Sequence, residues 1–216
     1  TNFTNGIDPE FKLKLNNIRR KKYKEGNNYK IIYAGNLGEG QSIYELIESL
    51  NKDNQTIYKM TKANITFEIY GSGAQLKKIK EYIFNSAKDP MNNLKFAVKY
   101  KGLVKKENIH LIYQEANCLM IQLSDLKSLE YVIPSKTFEY ASTNLPILYG
   151  TKGFTSSFIS KIQGTIPFNQ KDSKSFFNAI IKSKKIVIDS EKRNLFLKNF
   201  ITKNIYKRYA KHIISN

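Results

Sequence analysis

Apolar positions along this chain switch repeatedly between strand-like runs and a 3.6-residue period, and the switches divide it into strands and helices. Tyr29 to Gly35 (YKIIYAG) is β-branched and aromatic and ends in glycine, which predicts a buried strand. In the next segment, SIYELIESL, Ile43, Leu46, Ile47 and Leu50 fall at i, i+3, i+4 and i+7, an amphipathic helix. ITFEIYG (Ile65 to Gly71) reads as a second strand, and a helix follows Gly73 with Leu76, Ile79 and Ile83 on one face. LKFAV (Leu94 to Val98) is then the third strand, ENIHLIYQEA (Glu107 to Ala116) the third helix and CLMIQL (Cys118 to Leu123) an apolar fourth strand. VIPSKTFEYASTNLPIL (Val132 to Leu148) passes from a strand end through a helix into the strand PILYG (Pro146 to Gly150); after a short helix, GTIPF (Gly164 to Phe168) is the sixth. SFFNAIIKS (Ser175 to Ser183) is helical, and Glu191 to Ser215 is a long last helix with Leu197, Ile201, Ile205, Tyr209 and Ile213 in one stripe.

This alternation predicts an α/β fold: a Rossmann-like open parallel sheet of about six strands with helices on both faces. Ligands on such sheets bind at the carboxyl ends of the strands. That directs attention to Gly35–Gln41, Gly71–Gly73, Gly102–Lys105, Ser124–Glu139 and Gly150–Thr155. The first of these loops, GNLGEGQ, places glycines at 35, 38 and 40, which suits either a tight strand-to-helix turn or a diphosphate held by the amides near Gln41. Its spacing is neither GxGxxG nor a P-loop, and YGSG after the second strand lacks the acid that an NAD ribose needs. Ser135 stands as a natural N-cap, and Lys136 and Glu139 follow on one face at i and i+3. Such a pair is either a surface ion pair of little worth or a site in which the carboxylate accepts from vicinal hydroxyls and the lysine meets a phosphate.

Composition narrows the class. The chain has 216 residues, 41% of them hydrophobic, enough for one sizeable core or for one domain with a terminal extension. The single cysteine, Cys118, excludes an intrachain disulfide and suits a reducing cytosol. No apolar run approaches the roughly 20 residues of a spanning helix, and no signal-peptide pattern opens the chain. The formal net charge of +18 is concentrated in Lys12 to Lys24 and Lys192 to Lys211, each with seven basic residues. A general bias toward Lys, Asn and Ile accounts for it most simply; nucleic acid and anionic lipid are the sharper readings. Aromatics do not interleave with the basic runs in a repeated pattern, so no nucleic acid is expected.

PSKTFEYASTNLPIL resembles the P-S-K-x-F-E-Y-x-A-x-x-x-P-I motif of bacterial nucleotide-sugar glycosyltransferases of family 4, the retaining GT-B group. YAGNLGEGQSI is similar to the Y-A-G-N-x-G-x-x-Q loop of the same proteins. FEIYGSGAQLKKI and YKGLVKKENIHLIYQEANCLMIQL resemble their next two segments, with Asn117 where an aspartate is usual. TNGIDPEF (Thr4 to Phe11) resembles the segment on which these enzymes leave their N-terminal domain. The resemblance implies the donor-binding C-terminal half of a two-domain enzyme, inactive alone, with the N-terminal half supplying the acceptor site. It divides the chain into an interdomain linker and basic lead-in (1–28), a nucleotide-sugar-binding domain (29–190) and a C-terminal helix (191–216).

Carried over position by position, it makes Glu139 the ribose anchor and places Gly35, Asn36, Gly38 and Gln41 around the diphosphate and sugar. Gly71, Gly73 and Ser135 join the same rim; Lys136 faces the diphosphate, and Gly102 to Val104 hold the base through backbone groups. Members carry a second glutamate eight residues before the first. Here that position is Tyr131, with Glu130 one residue out of register, so Glu130 is left without an assigned catalytic role. The Arg and Lys of the family's G-R-x…K-G loop are missing, with Lys105 or Lys127 as substitutes. The implied donor is a UDP-sugar and the implied acceptor a cell-surface polysaccharide or lipid-linked (polyprenyl-phosphate) glycan precursor. The enzyme would be cytoplasmic, at most peripheral to the inner face of the cell membrane. There is no DxD triplet and no His/Cys cluster, His110 and His212 being far apart, so neither a metal nor another cofactor is expected. A nucleotide-sugar epimerase of GT-B fold and a non-enzymatic nucleotide- or nucleic-acid-binding α/β domain are the alternatives.

Overall fold

The computed structural model describes residues 5–19, 23–24 and 26–214, and omits the side chains of Lys211 and His212. Thr4, Arg20 to Lys22 and Ser215, which carry part of the linker, basic-run and last-helix readings, lie outside the described residues, as does the His212 side chain. In chain order the elements are α1 (Pro9–Asn16), β1 (Tyr29–Ala34), α2 (Ile43–Lys52), α3 (Asn54–Lys62), β2 (Ile65–Tyr70), α4 (Leu76–Ser86), α5 (Leu94–Ala97) and β3 (Val98–Gly102). They continue with α6 (Ile109–Gln114), β4 (Cys118–Gln122), α7 (Lys136–Ala141), β5 (Ile147–Gly150), α8 (Gly153–Ile159), β6 (Thr165–Pro167), α9 (Ser173–Ser183), α10 (Ser190–Lys198) and α11 (Thr202–Ile214).

All strand pairs are parallel, in the order β3-β2-β1-β4-β5-β6. Alternation along β1 sends Tyr29, Ile31 and Tyr33 to one face and Ile32 and Ala34 to the other. The first face is buried under α2, α3, α4, α5 and α9, the second under α1, α6, α7, α8 and α10. The expected α/β sheet with helices on both faces is therefore present.

Three local differences have physical causes. LKFAV does not open the third strand: Leu94 and Ala97 are buried at i and i+3 in the helical turn α5, and the strand begins at Val98. An unread helix, α3, is started by Asp53, whose carboxylate accepts from Thr56 N at 3.0 Å, and it buries Ile57 and Met60. The long last helix is two helices, broken over Asn199–Ile201, where Thr202 N donates to Ile7 O and Ile7 N to Phe200 O in a parallel bridge. Ile7, Leu15 and Ile18 pack beside Leu197 on the second face, so the lead-in is tied to α10.

Arg193 fastens that face. It is 1% exposed, and its guanidinium donates to Gln163 O (2.6 Å), Thr143 O (2.6 Å) and Gly164 O (3.4 Å). Burial lowers its pKa to about 10, so it remains a cation satisfied by carbonyl dipoles.

Candidate functional site

The chain reverses its direction of winding between β1 and β4, which makes the carboxyl ends of these two strands the switch point. They pair only at Ile31↔Cys118 and Ile32↔Leu119 and then part. On the β1 side the missing neighbour is replaced by a side chain: Ala34 N donates to the Tyr140 hydroxyl at 3.4 Å, and that hydroxyl donates to Ala34 O at 3.5 Å. On the β4 side Gln122 Nε2 donates to Gln41 O (3.1 Å) and Ser42 O (2.6 Å), holding the loop after β1. At the carboxyl ends of β1, β2 and β3 lies a cleft of about 320 Å³. Gly35, Asn36, Gly71, Val104, Lys106 and Lys136 are among its lining.

Two glycines set how closely its loops approach. Gly71 has φ +138°, and a Cβ there would stand 1.8 Å from Gly35 O. A Cβ on Gly73 would meet the Leu37 backbone at 2.5 Å. Any side chain at either position would push the first loop off the second. The first loop is also closed on itself, since Gln41 Oε1 accepts from Asn36 Nδ2 (3.0 Å) and Gly38 N (3.3 Å). It passes through a single 3-10 turn, Glu39–Gln41, and Ser42 at φ 48° before α2, so the amides near Gln41 belong to that turn and not to the helix start.

The polar centre is a closed triangle. Lys136 Nζ lies 2.8 Å from Glu139 Oε2, the Tyr113 hydroxyl donates to the same oxygen at 3.0 Å, and Lys136 Nζ donates to the Tyr113 oxygen at 3.1 Å. Tyr113 comes from α6 and stacks edge-on against Tyr140 with ring centroids 5.2 Å apart. Burial foremost, and then its neighbours Tyr140 and Glu139, hold its phenol well above the ordinary range, so it keeps its proton and remains a donor. The Glu139 side chain is 14% exposed and that of Lys136 29%, so the pair is not sealed from solvent. Ser135 occupies the position before α7 but has helical dihedrals and makes no side-chain cap bond, contrary to its reading as an N-cap.

Comparison with known proteins adds the fold's name. No family model matches this sequence, and no curated protein matches it. Solved structures do. The lipopolysaccharide outer core galactosyltransferase WaaB, in its apo form, superposes with a TM-score of 0.66 at 12% identity over 100% of this chain and 55% of its own. Anabaena HepE in complex with UDP gives 0.69 at 14% identity, over 98% and 56%. A point mutant of S. aureus TarM, in complex with Fondaparinux, alpha-GlcNAc-glycerol and UDP, gives 0.60 at 15%, over 89% and 38%. The fold is that of a GT-B glycosyltransferase domain. The chain spans about half the length of the first two of these structures.

Within this GT-B domain the residues singled out in the sequence divide into groups. Gly35, Asn36, Gly71, Val104 and Lys136 line one cleft, and Glu139 joins them through Lys136. Gly38, Gln41 and Gly73 shape the loops behind it; Gly102, at φ +101°, accepts from Gly71 N at 3.0 Å. Glu130 is elsewhere, in the turn Lys127–Tyr131, where a Cβ on Gly153 would fall 2.7 Å from its Oε2. Neither Lys105 nor Lys127 lines the cleft; Lys106 does. Tyr113 and Lys106 escaped the sequence reading. The signal for Tyr113 was its i+4 spacing from Ile109, which marks a buried helix face and hides a hydroxyl among core positions. Among the described residues no group of three or more His, Cys, Asp and Glu could hold a metal ion. Among them, too, no helix is long and apolar enough to cross a membrane.

Proposed function

We propose that this chain is the donor-binding half of a glycosyltransferase that transfers a sugar from a UDP-sugar, with retention, to a cell-surface polysaccharide or a lipid-linked glycan precursor. Residues 29–190 are the binding domain, and a second GT-B half carries the acceptor site, so the chain alone does not transfer sugar. The whole enzyme is cytoplasmic, at most peripheral to the inner face of the cell membrane.

The observation that carries this reading is the Tyr113–Lys136–Glu139 triangle beside a cleft whose backbone rim is Gly35–Asn36 and Gly71–Ser72. A carboxylate already oriented by two donors is suited to accept from vicinal ribose hydroxyls. Lys136 and Lys106 supply cations for a diphosphate, and the apolar wall at Val104 and Ile109 can cover a base. The HepE and TarM structures were solved in complex with UDP, which supports a UDP-linked donor by analogy of fold.

Isothermal titration with UDP, GDP, NAD and a DNA oligomer tests it. UDP should bind best, and equally in EDTA, because the site offers lysines and amides and, among the described residues, no acid cluster for a cation. Binding of NAD or DNA in preference to UDP, or UDP binding abolished by EDTA, would overturn the reading.

A further inference from the structure

At the end opposite the cleft, the β3 edge of the sheet carries a surface that a donor site does not need. Phe84 on α4 is 66% exposed, Met91 in the following turn 86%, and Phe96 on α5 53%. Each phenyl ring has a lysine over it: Lys88 Nζ stands 4.9 Å from the Phe84 centroid and Lys95 Nζ 5.3 Å from that of Phe96. Along α4 and just past its end, Lys77, Lys80, Phe84 and Lys88 recur at i, i+3, i+7 and i+11, opposite the buried Ile79. Lys80 Nζ reaches to 5.8 Å from the Tyr100 ring, which sets this helix face beside β3. β3 is an edge strand, paired among the described residues with β2 alone, and its Lys99 and Lys101 are exposed. From Lys77 to Lys101 there are seven lysines and two acids, Glu81 and Asp89.

Lysines on an edge strand discourage strand addition, and that accounts for Lys99 and Lys101. It does not account for three large apolar side chains standing in water beside them. A second GT-B half would face the carboxyl ends of the strands, whereas Phe96 precedes the amino end of β3 and Phe84 closes α4 at the same end. A protein interface would be poor in lysine at its centre, and here each exposed ring lies under one. Protruding phenyl and thioether groups interspersed with snorkelling ammonium groups match the headgroup layer of an anionic bilayer. We infer that the α4–α5–β3 edge is a membrane-docking surface, with Phe84, Met91 and Phe96 entering the headgroup layer and the surrounding lysines pairing with anionic lipid.

The test is vesicle co-sedimentation of the 216-residue chain with pure phosphatidylcholine and with phosphatidylglycerol-containing vesicles. The chain should sediment with the anionic vesicles only. The combined variant Phe84→Ser, Met91→Ser and Phe96→Ser keeps every charge and should lose binding by about tenfold or more. Its thermal melt and UDP titration report that it is folded. The chain contains no tryptophan, so Phe84→Trp gives an independent reading: its emission should shift to the blue on adding anionic vesicles. Three results overturn the proposal. The first is sedimentation of the triple variant equal to that of the wild type, which would assign binding to diffuse charge at the basic ends of the chain. The second is an emission from Phe84→Trp that the anionic vesicles leave unshifted. The third is a wild-type dimer that the triple variant dissolves, which would make the patch a self-interface.

Discussion

Substitution of Glu139 by glutamine separates a ligand site from a surface ion pair. The change keeps the shape of the side chain and removes its charge. Lys136, at 2.8 Å, loses its ion partner, and the Tyr113 hydroxyl, at 3.0 Å, loses its charged acceptor. A hydrogen bond to a charged group contributes about 1.5–3 kcal/mol net, and glutamine forfeits one acceptor oxygen toward the ribose. A net loss of about 1.4 kcal/mol gives a tenfold weaker UDP complex. Tyr113→Phe removes one of the two donors on Oε2 and leaves Lys136 in place, so the carboxylate is loosened and not lost. The expected penalty is about 0.5–1 kcal/mol, a two- to five-fold change. If Tyr113 acts by positioning Glu139, the two losses do not add: in the Glu139→Gln background, Tyr113→Phe should change affinity by less than about twofold. Calorimetric titration of UDP into the four proteins completes the cycle, and thermal melts guard against a folding artefact. Unchanged affinity in Glu139→Gln would leave only an ion pair worth a few tenths of a kcal/mol, and additive losses would refute the positioning role.

Lys136→Ala should weaken UDP more than uridine, because its proposed partner is phosphate; equal losses for both ligands would mean it serves only to orient Glu139. Asp53→Ala should cost about 1 kcal/mol of stability at neutral pH by removing the cap of α3 and the 2.7 Å bond from Ser173. Burial pushes the Asp53 carboxyl up, but the donors Thr56 and Ser173 outweigh it and the net shift is downward. The stabilisation is therefore full above the unfolded value of about 4 and lost as pH falls through the lower folded value, so melts of variant and wild type should converge in acid. Arg193→Ala should cost about 3 kcal/mol or more by orphaning three carbonyls, lowering Tm by roughly 6–12 °C. Arg193→Lys should recover little, since one ammonium cannot span the three directions that the planar fork reaches.

Burial on both faces made the interior strands easy to read: β1 and β4 are nearly continuous apolar runs, and β2 has four apolar residues in six, because helices cover them twice over. The edge strand was harder. VKYKG alternates lysine with apolar residues because one neighbour is missing, and the more apolar LKFAV just before it drew the assignment four residues early. The rim glycines were legible because close backbone approach admits no other residue, as at Gly71 and Gly73. Tyr113, by contrast, meets Lys136 across 23 positions and Glu139 across 26, and only the assembled sheet puts them in one place. Gln122 and Arg193 were invisible for a related reason: their partners are carbonyl groups, which every residue possesses.

The substitution of a phenol for a strand at Ala34 bears on how the sheet comes apart. Six paired residues join β1 to β2, but only two join β1 to β4. The β1–β3 and β4–β6 halves thus share a short strand seam, and Tyr140 is the rivet at its open end. Amide exchange at Ala34 tracks rupture of that seam and not fraying of a ladder. If Glu139, the chain neighbour of Tyr140, holds a ligand as proposed, adding UDP should slow amide exchange at Ala34.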